Sequence, residues 1–517
     1  MFDAVPRRKR GSCLAVFAVL GCLAFPLPSR ADASSPYMPS WVARHRLEYL
    51  VDEAGLRLTT MQWPLPARGV LDALAALPKD LPPVLRESAE AAKADVDRAI
   101  EASFDIRLRT RSEGLVGFDD DYGPGSSSTL RSPLGTAGAQ ASPWLSARIG
   151  IRVEQQAGSM LKSSSLGGQP AAATLRLEET AVVVESLGVN LQAFAHRDWW
   201  GPGWQNSLIL GDNAPPWIGV GLQRATVRPS LSPLLSWAGP WNAEFFVAKA
   251  QDPGLIANQG RNFLFVGLRI SLKPHSLVEF GLSRTEQTAG DGRAKGWSNL
   301  WRVLTSRGAN AVTPAEQRND PGNGMAGFDV RVRCPSHVPC AGYAQAIGED
   351  QAGYLPSHYL SLLGIESWST DGANRWFAEF TNSTCRGLPW ENHLLGCAYR
   401  NYQYLQGYTN GSRWAGASIG PDSRLMTLGW YSAEGERRLR IHWGFIAVSE
   451  GSYAPTLTDA PHGALLGASV DQAIHWRGTK LTGEAAWTSL SKGHDIDINR
   501  RRNLRVGVTI ERDLTLF

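Results

Sequence analysis

The sequence lacks the features that mark several common classes of protein. Its 52 Lys and Arg nearly balance 48 Asp and Glu, a formal net charge of +4, which argues against a nucleic-acid-binding protein with its basic patch. Downstream of the N-terminus there is no apolar run of about 18 residues, which excludes a polytopic helical membrane protein. No HExxH, P-loop or GxGxxG motif is present. What remains to be explained is 53 Gly and 19 Trp spread over 517 residues.

The N-terminal residues 1–33 are organised like a secretory signal peptide. A basic stretch at 7–10 precedes an apolar stretch at 14–27, and small residues at 29–33 suit cleavage. The apolar stretch is too short for a transmembrane helix. A buried N-terminal helix and lipidation at Cys22 are less favoured alternatives. We therefore expect an exported protein.

Cysteine is scarce, and two of the six cysteines lie in the predicted signal peptide. The other four form two close pairs, Cys334 with Cys340 and Cys385 with Cys397. An even number of cysteines in an exported chain predicts disulfides. Three connectivities are possible, of which we favour the two local ones. A zinc site is disfavoured because neither pair has CxxC spacing, and we expect no metal and no cofactor.

Residues 34–103 are predicted to form a small helical bundle. Apolar residues recur at spacings of three and four within 42–54, 67–77 and 84–103, which is the period of amphipathic helices. The face opposite the apolar residues of 84–103 is acidic and is expected to be solvated. Three helices of this length are too small for a domain with a large core.

From residue 104 onward the hydrophobic period changes to two. In one example Ile441 and Trp443 alternate with Arg440 and His442. We count about 18 such strands, and many reach 9–12 residues, whereas strands of soluble sandwiches usually have about 5–6. In a sandwich the apolar face would pack on a second sheet. In an outer-membrane barrel it faces lipid and the charged face lines the lumen.

The expected fold is therefore dominated by β-structure. Residues 104–517 are predicted to form one transmembrane β-barrel of about 18 antiparallel strands, which accounts for the length of the chain without three domains. Aromatic residues near strand ends are expected to form the interfacial girdles of such a barrel; they are Trp144, Trp217, Trp241, Trp368, Trp430, Tyr431 and Trp487.

The densest group of polar and aromatic residues lies at 196–207. Its candidate polysaccharide-binding residues are Arg197, Asp198, Trp199, Trp200, Trp204 and Gln205. Indole rings stack on apolar sugar faces and planar polar groups hydrogen-bond hydroxyls. The alternative is a tight Gly-Pro-Gly turn whose Trp side chains pack against the barrel wall.

Two other motifs suggest chemistry only weakly. Gly416–Gly420 matches the GxSxG pattern of hydrolases, but that motif needs a helix after the serine, and here Pro421 and more strand pattern follow. Asp119–Asp121 could bind Ca²⁺, but the loop lacks the spaced ligands of a Ca²⁺ site. We interpret the first as a small-residue β segment and the second as a solvated turn, and predict no catalytic residues.

Three stretches carry a resemblance to a known family. They are LVDEAG at 50–55 with WPLP at 63–66, DWWGPG at 198–203, and SLILGDNAP at 207–215. With them the chain resembles the capsule-assembly Wzi family of outer-membrane proteins. The resemblance implies an 18-stranded barrel, a small periplasmic helical bundle at 34–103, and a non-enzymatic, lectin-like role in holding capsular polysaccharide at the cell surface.

The function expected from sequence is thus an outer-membrane lectin-like protein that binds and anchors exported capsular or extracellular polysaccharide. Its expected partners are that polysaccharide and outer-membrane lipid, with no nucleic acid. The alternative is an outer-membrane solute channel or sugar-selective porin, which the charged face of the strands would suit.

Overall fold

The computed structural model describes residues 33–100, 103–112, 129–156, 173–230, 232–251, 262–304, 322–335, 338–352, 355–385, 396–401, 403–404, 407–411, 413–446, 463–490 and 501–514. The predicted signal peptide, except for its last residue, and Asp119–Asp121 lie outside these ranges.

Among the residues that the structure describes, three helices precede the barrel and a fourth lies in a later connection. They are α1 (Trp41–Glu53), α2 (Ala67–Ala75), α3 (Pro83–Ile100) and α4 (Trp297–Leu304). The first three agree within a few residues with the predicted helices. The Ser40 side chain caps α1 by accepting a hydrogen bond from the Ala43 amide at 3.2 Å. Among the described residues, no helix is long and apolar enough to cross a membrane.

Within the described ranges, eighteen strands form the main sheet. In chain order they are β1 (Ser103–Arg111), β2 (Thr129–Ser142), β3 (Leu145–Gln156), β4 (Ala173–Leu177 and Thr180–Ser186, separated by Glu178 and Glu179), β5 (Val189–His196), β6 (Trp217–Arg224), β7 (Trp241–Lys249), β8 (Leu264–His275), β9 (Val278–Thr288), β10 (Gly322–Arg333), β11 (Cys340–Ala352), β12 (Leu355–Trp368), β13 (Asn374–Asn382), β14 (Arg424–Ser432), β15 (Arg437–Ile446), β16 (Gly463–Trp476), β17 (Thr479–Leu490) and β18 (Arg501–Leu514).

The sheet closes into an antiparallel barrel because each strand pairs with the next and β18 pairs with β1. The closing register joins Leu514 to Phe104 and Gly507 to Arg111. With an even number of strands, β1 begins and β18 ends at the same rim, which we call the near rim. The opposite, far rim carries most of the long connections, whereas near-rim turns are mostly short, as at Arg477–Gly478.

The outer surface of the strands is apolar. Along β18, Val506, Val508 and Ile510 are 51, 46 and 39 % exposed, whereas the intervening Arg505 is buried. The same alternation runs around the barrel, and Trp144, Trp376 and Trp476 are exposed close to the near rim. A closed barrel with an apolar exterior and a polar interior is the architecture of outer-membrane proteins.

The predicted girdle is only partly correct. Trp144 and Trp487 are exposed and Trp430 is half-buried, but Trp217, Trp368 and Tyr431 are buried in the interior. Trp241 pairs with Leu272 and lies on the outer face, where it is buried against Ala238 and Ala243. Position near a strand end did not decide the outcome, because the register of each strand determines which face a side chain occupies.

Two strand assignments also differ from the sequence prediction. The single strand predicted over 181–194 is a hairpin, because Leu187 and Gly188 have φ of 55° and 81° and turn the chain between β4 and β5. Strand β2 was not predicted, and the weak strand expected at 412–418 contains only the two-residue ladder piece Arg413–Trp414, outside the barrel sheet.

The barrel interior is filled by chain from both rims. Residues 33–66 pack within it, and the connections 197–216 and 396–423 fold inward from the far rim, where most of their described residues are buried. They meet where Trp199–Trp200 pairs antiparallel with Gln62–Trp63. The division of the chain into a bundle and a barrel at residue 103 remains our interpretation, because α1 packs against the inner wall.

Candidate functional site

The inward connection 197–216 is held to the barrel wall by one carboxylate. Glu379 on β13 accepts hydrogen bonds from the backbone amides of Trp204 (2.7 Å), Gln205 (3.3 Å) and Asn206 (2.9 Å). The turn that brings these amides together requires glycine, since a Cβ on Gly203 would lie 2.1 Å from the carbonyl oxygen of Asn206. The connection is therefore locked in place.

The three tryptophans of the predicted site are buried. Trp199, Trp200 and Trp204 are 1, 0 and 0 % exposed. Two guanidinium groups lie close to the Trp204 ring, with Arg44 at 4.1 Å and Arg375 at 5.0 Å from its centroid. Its indole N–H donates to Glu366 at 2.7 Å. These contacts give Trp204 a packing role in the interior.

A network of ion pairs connects α1 to the barrel wall. Arg331 on β10 contacts Asp52 at 2.6 Å and Glu366 at 2.7 Å. Arg375 on β13 pairs with Glu366 and with Glu48 at 3.2 Å. All these side chains are nearly inaccessible to solvent, so each charge is compensated inside the barrel.

His45 on α1 completes this network as a neutral side chain. Its Nε2 lies 2.7 Å from the Gly372 carbonyl oxygen, and its Nδ1 accepts from Arg375 at 2.9 Å. Burial, together with the nearby charge of Arg375, lowers the pKa of His45 to about 3. The ring therefore donates through Nε2 and accepts through Nδ1 at neutral pH.

The structure distributes the six predicted site residues among different partners. Arg197 pairs with Glu178, lies 3.3 Å from Asp212 and donates to the Ala214 carbonyl at 2.9 Å. Asp198 lies beside His196, and Trp204 and Gln205 are held by Glu379. All six are at most 7 % exposed. Their assignment to polysaccharide binding stays a prediction, and their burial favours the alternative of an interior packing turn.

Ser418 of the GxSxG match is placed as a structural residue. It is 4 % exposed, and its hydroxyl donates to Asn206 Oδ1 at 3.0 Å. Residues 415–423 form turns rather than the helix that a nucleophile elbow requires. The segment supports the inward connection 197–216.

Both predicted disulfides are present. Cys334–Cys340 closes the turn between β10 and β11 at the near rim, and Cys385–Cys397 lies in the far-rim connection between β13 and β14. The local connectivity favoured from sequence is therefore confirmed.

A solvent-connected cleft of about 240 Å³ opens at the near rim between α1, α3 and the strands β1–β5 and β16–β18. Its charges largely pair across it, as in Arg107 with Glu179 (3.0 Å) and Lys480 with Glu436 (2.7 Å). The cleft therefore has no strong field of one sign. We call it the near-rim cleft.

The far rim carries an exposed aromatic that sequence reasoning missed. Trp297 opens α4, in the connection between β9 and β10, and is 75 % exposed. Trp301, one turn later, is half-buried, and the Lys295 side chain is 60 % exposed. The signal was available, since two Trp four residues apart lie on one helix face, but the segment 285–326 lies outside the stretches that carry the family resemblance.

The chain is similar in sequence to a protein family and to a curated protein. The family model described as "Capsule assembly protein Wzi" matches residues 100–441. Over 186 residues the chain is 33 % identical to an uncharacterized 55.8 kDa protein in the cps region of Klebsiella pneumoniae, and the match covers 35 % of each protein. The match thus spans about a third of that relative.

A solved structure shares the fold. The Escherichia coli Wzi, described as an outer membrane protein involved in group 1 capsule assembly and a carbohydrate-binding β-barrel, aligns with a TM-score of 0.75 and 20 % identity. The alignment covers 93 % of this chain and all of that one.

Proposed function

The chain belongs to the Wzi capsule assembly family, and from this premise we propose that it binds exported capsular or extracellular polysaccharide and retains it at the cell surface. The family points to a non-enzymatic role. The barrel with its apolar exterior is an outer-membrane barrel, which holds the far-rim connections at one side of the bilayer. With the N-terminal helices in the periplasm, the far rim faces outward.

The observation that carries this proposal is the filled interior. The described residues of 33–66, 197–216 and 396–423 occupy the lumen, and most of their side chains are buried; Trp204 packs there against Arg375 and Glu366 on the wall. A porin needs a continuous water-filled path. In the described part of the chain these segments fill the interior apart from the near-rim cleft, so the geometry favours binding at the rim over conduction.

Trp297 is the side chain that we propose contacts the polysaccharide. It lies at the far rim on a short helix, and its exposed indole offers an apolar face on which a sugar ring could stack. The helix is held down at its C-terminal end, where Arg284 donates to the Val303 carbonyl at 2.8 Å. A rigid support lowers the entropic cost of binding.

The test combines a strain and a purified protein. Deleting the gene should lower the amount of polysaccharide that stays attached to cells, and re-expression should restore it. Purified protein should bind the isolated polysaccharide, and Trp297→Ala should weaken this binding several-fold, up to about tenfold for the loss of one stacking contact.

Trp237 provides a matched control. It is 62 % exposed but lies at the near rim, in the 225–240 connection. Trp237→Ala should leave polysaccharide binding unchanged. A deletion strain with the normal amount of attached polysaccharide would contradict the proposed function. If Trp297→Ala binds the polysaccharide as well as the wild type and Trp237→Ala do, only the role of Trp297 is contradicted.

A further inference from the structure

Three potential metal ligands converge inside the barrel. His196 ends β5, Asp198 is the second residue of the inward connection 197–216, and Glu244 lies on β7. One ligand atom from each lies within 4.8 Å of the others, and all three residues are buried. His196 Nδ1 and Asp198 Oδ1 are 3.5 Å apart.

The two carboxylates of this cluster are not neutralised by protein. In the part of the chain that the structure describes, both oxygens of Asp198, a residue that is 1 % exposed, lack a hydrogen bond. Glu244 accepts hydrogen bonds from neutral amides, those of Gln192 and Gln62, each at 3.3 Å. Among the described residues no Lys or Arg forms an ion pair with either carboxylate, and Arg197 turns instead to Glu178 and Asp212.

This arrangement differs from that of Asp52, Asp329 and Glu366, which are buried carboxylates paired with guanidinium groups. An uncompensated buried charge costs several kcal/mol. Buried carboxylates therefore ionise only beside a positive charge, and a divalent cation would supply two such charges. Imidazole nitrogen with two carboxylate oxygens is a donor set that Zn²⁺ accepts, and Ca²⁺ and Mg²⁺ would take oxygen ligands instead.

We propose that His196, Asp198 and Glu244 bind a divalent transition-metal ion of the Zn²⁺ type inside the barrel. Ligands about 2.1 Å from a tetrahedral ion are about 3.4 Å apart, close to the 3.5 Å between His196 and Asp198. Gln62 and Gln192 donate hydrogen bonds to Glu244 and so orient its carboxylate. In metal sites, residues that hydrogen-bond to a metal ligand orient it in the same way.

The proposed ion would have a structural consequence. His196 also lines the near-rim cleft, so the cluster lies next to solvent-connected space. Bound to the cluster, the ion would join β5, the inward connection and β7, and would hold the turn at 197–206 independently of any polysaccharide. The proposal therefore does not rest on the proposed function.

The test measures the metal content of the full-length protein without an affinity tag. The protein is folded into detergent with excess Zn²⁺, freed of unbound metal by gel filtration, and analysed by mass spectrometry. We expect about one Zn²⁺ per chain. The double variant Asp198→Asn with Glu244→Gln should fall to background.

His475→Gln is the matched control, because His475 is exposed and lies 2.8 Å from Glu436 at the near rim. It should keep about one Zn²⁺. Replacing Zn²⁺ with Co²⁺ should give the intense visible absorption of a four- or five-coordinate site in the wild type and in the control. This second readout does not depend on whether the double variant folds.

Two results would overturn the proposal. One is a wild-type protein that, although folded on semi-native gels, retains no Zn²⁺ and shows no such Co²⁺ spectrum. The other is a folded double variant that retains as much metal as the wild type.

Discussion

Glu366 shows what a single charge does inside this barrel. It accepts from the Trp204 indole and from two guanidinium groups, those of Arg331 and Arg375. Removing both partners of a buried ion pair can be nearly neutral, but removing one leaves the other charge buried and alone. The interior therefore depends on the completeness of its charge network.

Glu366→Gln should destabilise the protein by about 3–5 kcal/mol, because two buried guanidinium groups lose their shared counter-charge. Urea unfolding in detergent measures the change. Glu53→Gln is the control, since Glu53 is 30 % exposed and pairs with Arg333 at 3.0 Å; it should cost about 1 kcal/mol or less. Equal losses in the two variants would argue against the network.

His45 predicts a pH dependence of stability. Burial lowers its pKa to about 3, whereas in the unfolded chain it is about 6.5. The unfolded state therefore binds the proton first, and the contribution of His45 to stability is complete above about pH 6.5 and declines as the pH falls toward 3.

The measurement compares wild type with His45→Gln, whose side chain does not titrate. Between pH 6.5 and 4.5 the wild type should lose stability more steeply, by up to about 1.4 kcal/mol per pH unit. Parallel curves for the two proteins would show that His45 can be protonated in the folded state.

At the scale of elements, the helices and strands differ in how well sequence predicts them. The first three helices and most strands follow directly from periods of 3.6 and two. Strand β2 was not predicted because its sequence, with Pro133 and several Gly, Ala and Ser, shows almost no apolar alternation. The turn of the β4–β5 hairpin was not predicted because Leu187, which has a positive φ, is not a usual turn residue.

The Gly-Pro-Gly turn of the inward connection provides the test at this scale. Gly203→Ala should destabilise the folded barrel by about 1–3 kcal/mol, because its Cβ would lie 2.1 Å from the Asn206 carbonyl oxygen and backbone would have to move. The loss of heat-resistant, fast-migrating protein on semi-native gels reports the effect.

Gly483→Ala is the matched control, since no atom lies within 4 Å of the position that the alanine methyl group would occupy on β17. It should migrate like wild type. If Gly203→Ala is as stable as the wild type, the prediction is wrong, and the turn can accommodate a Cβ at residue 203.

At the scale of the whole molecule, the barrel is closed and encloses segments of its own chain. Strand β18 pairs with β1, and segments from both rims meet at Trp63 and Trp199. Such a barrel is a rigid platform for the far-rim connections. The charged inner face of the strands suited the channel alternative in the sequence. In the structure many of these charged side chains form ion pairs with one another.

The purified protein should therefore show no steady open state in planar lipid bilayers. Single-channel recording, beside a porin of known conductance in the same bilayer, provides the check. A stable ohmic conductance from protein that migrates as folded barrel would restore the channel alternative.

The sequence by itself determined the class of fold, most of the strands and the local disulfides. It could do so because hydrophobic periods and cysteine spacing depend on neighbours along the chain. Only the tertiary structure decided that Trp199, Trp200 and Trp204 are buried and that Trp297 is exposed. It also brought His196, Asp198 and Glu244 together. Those outcomes depend on strand register and on which connections fold inward, and both are set by contacts between residues far apart in sequence.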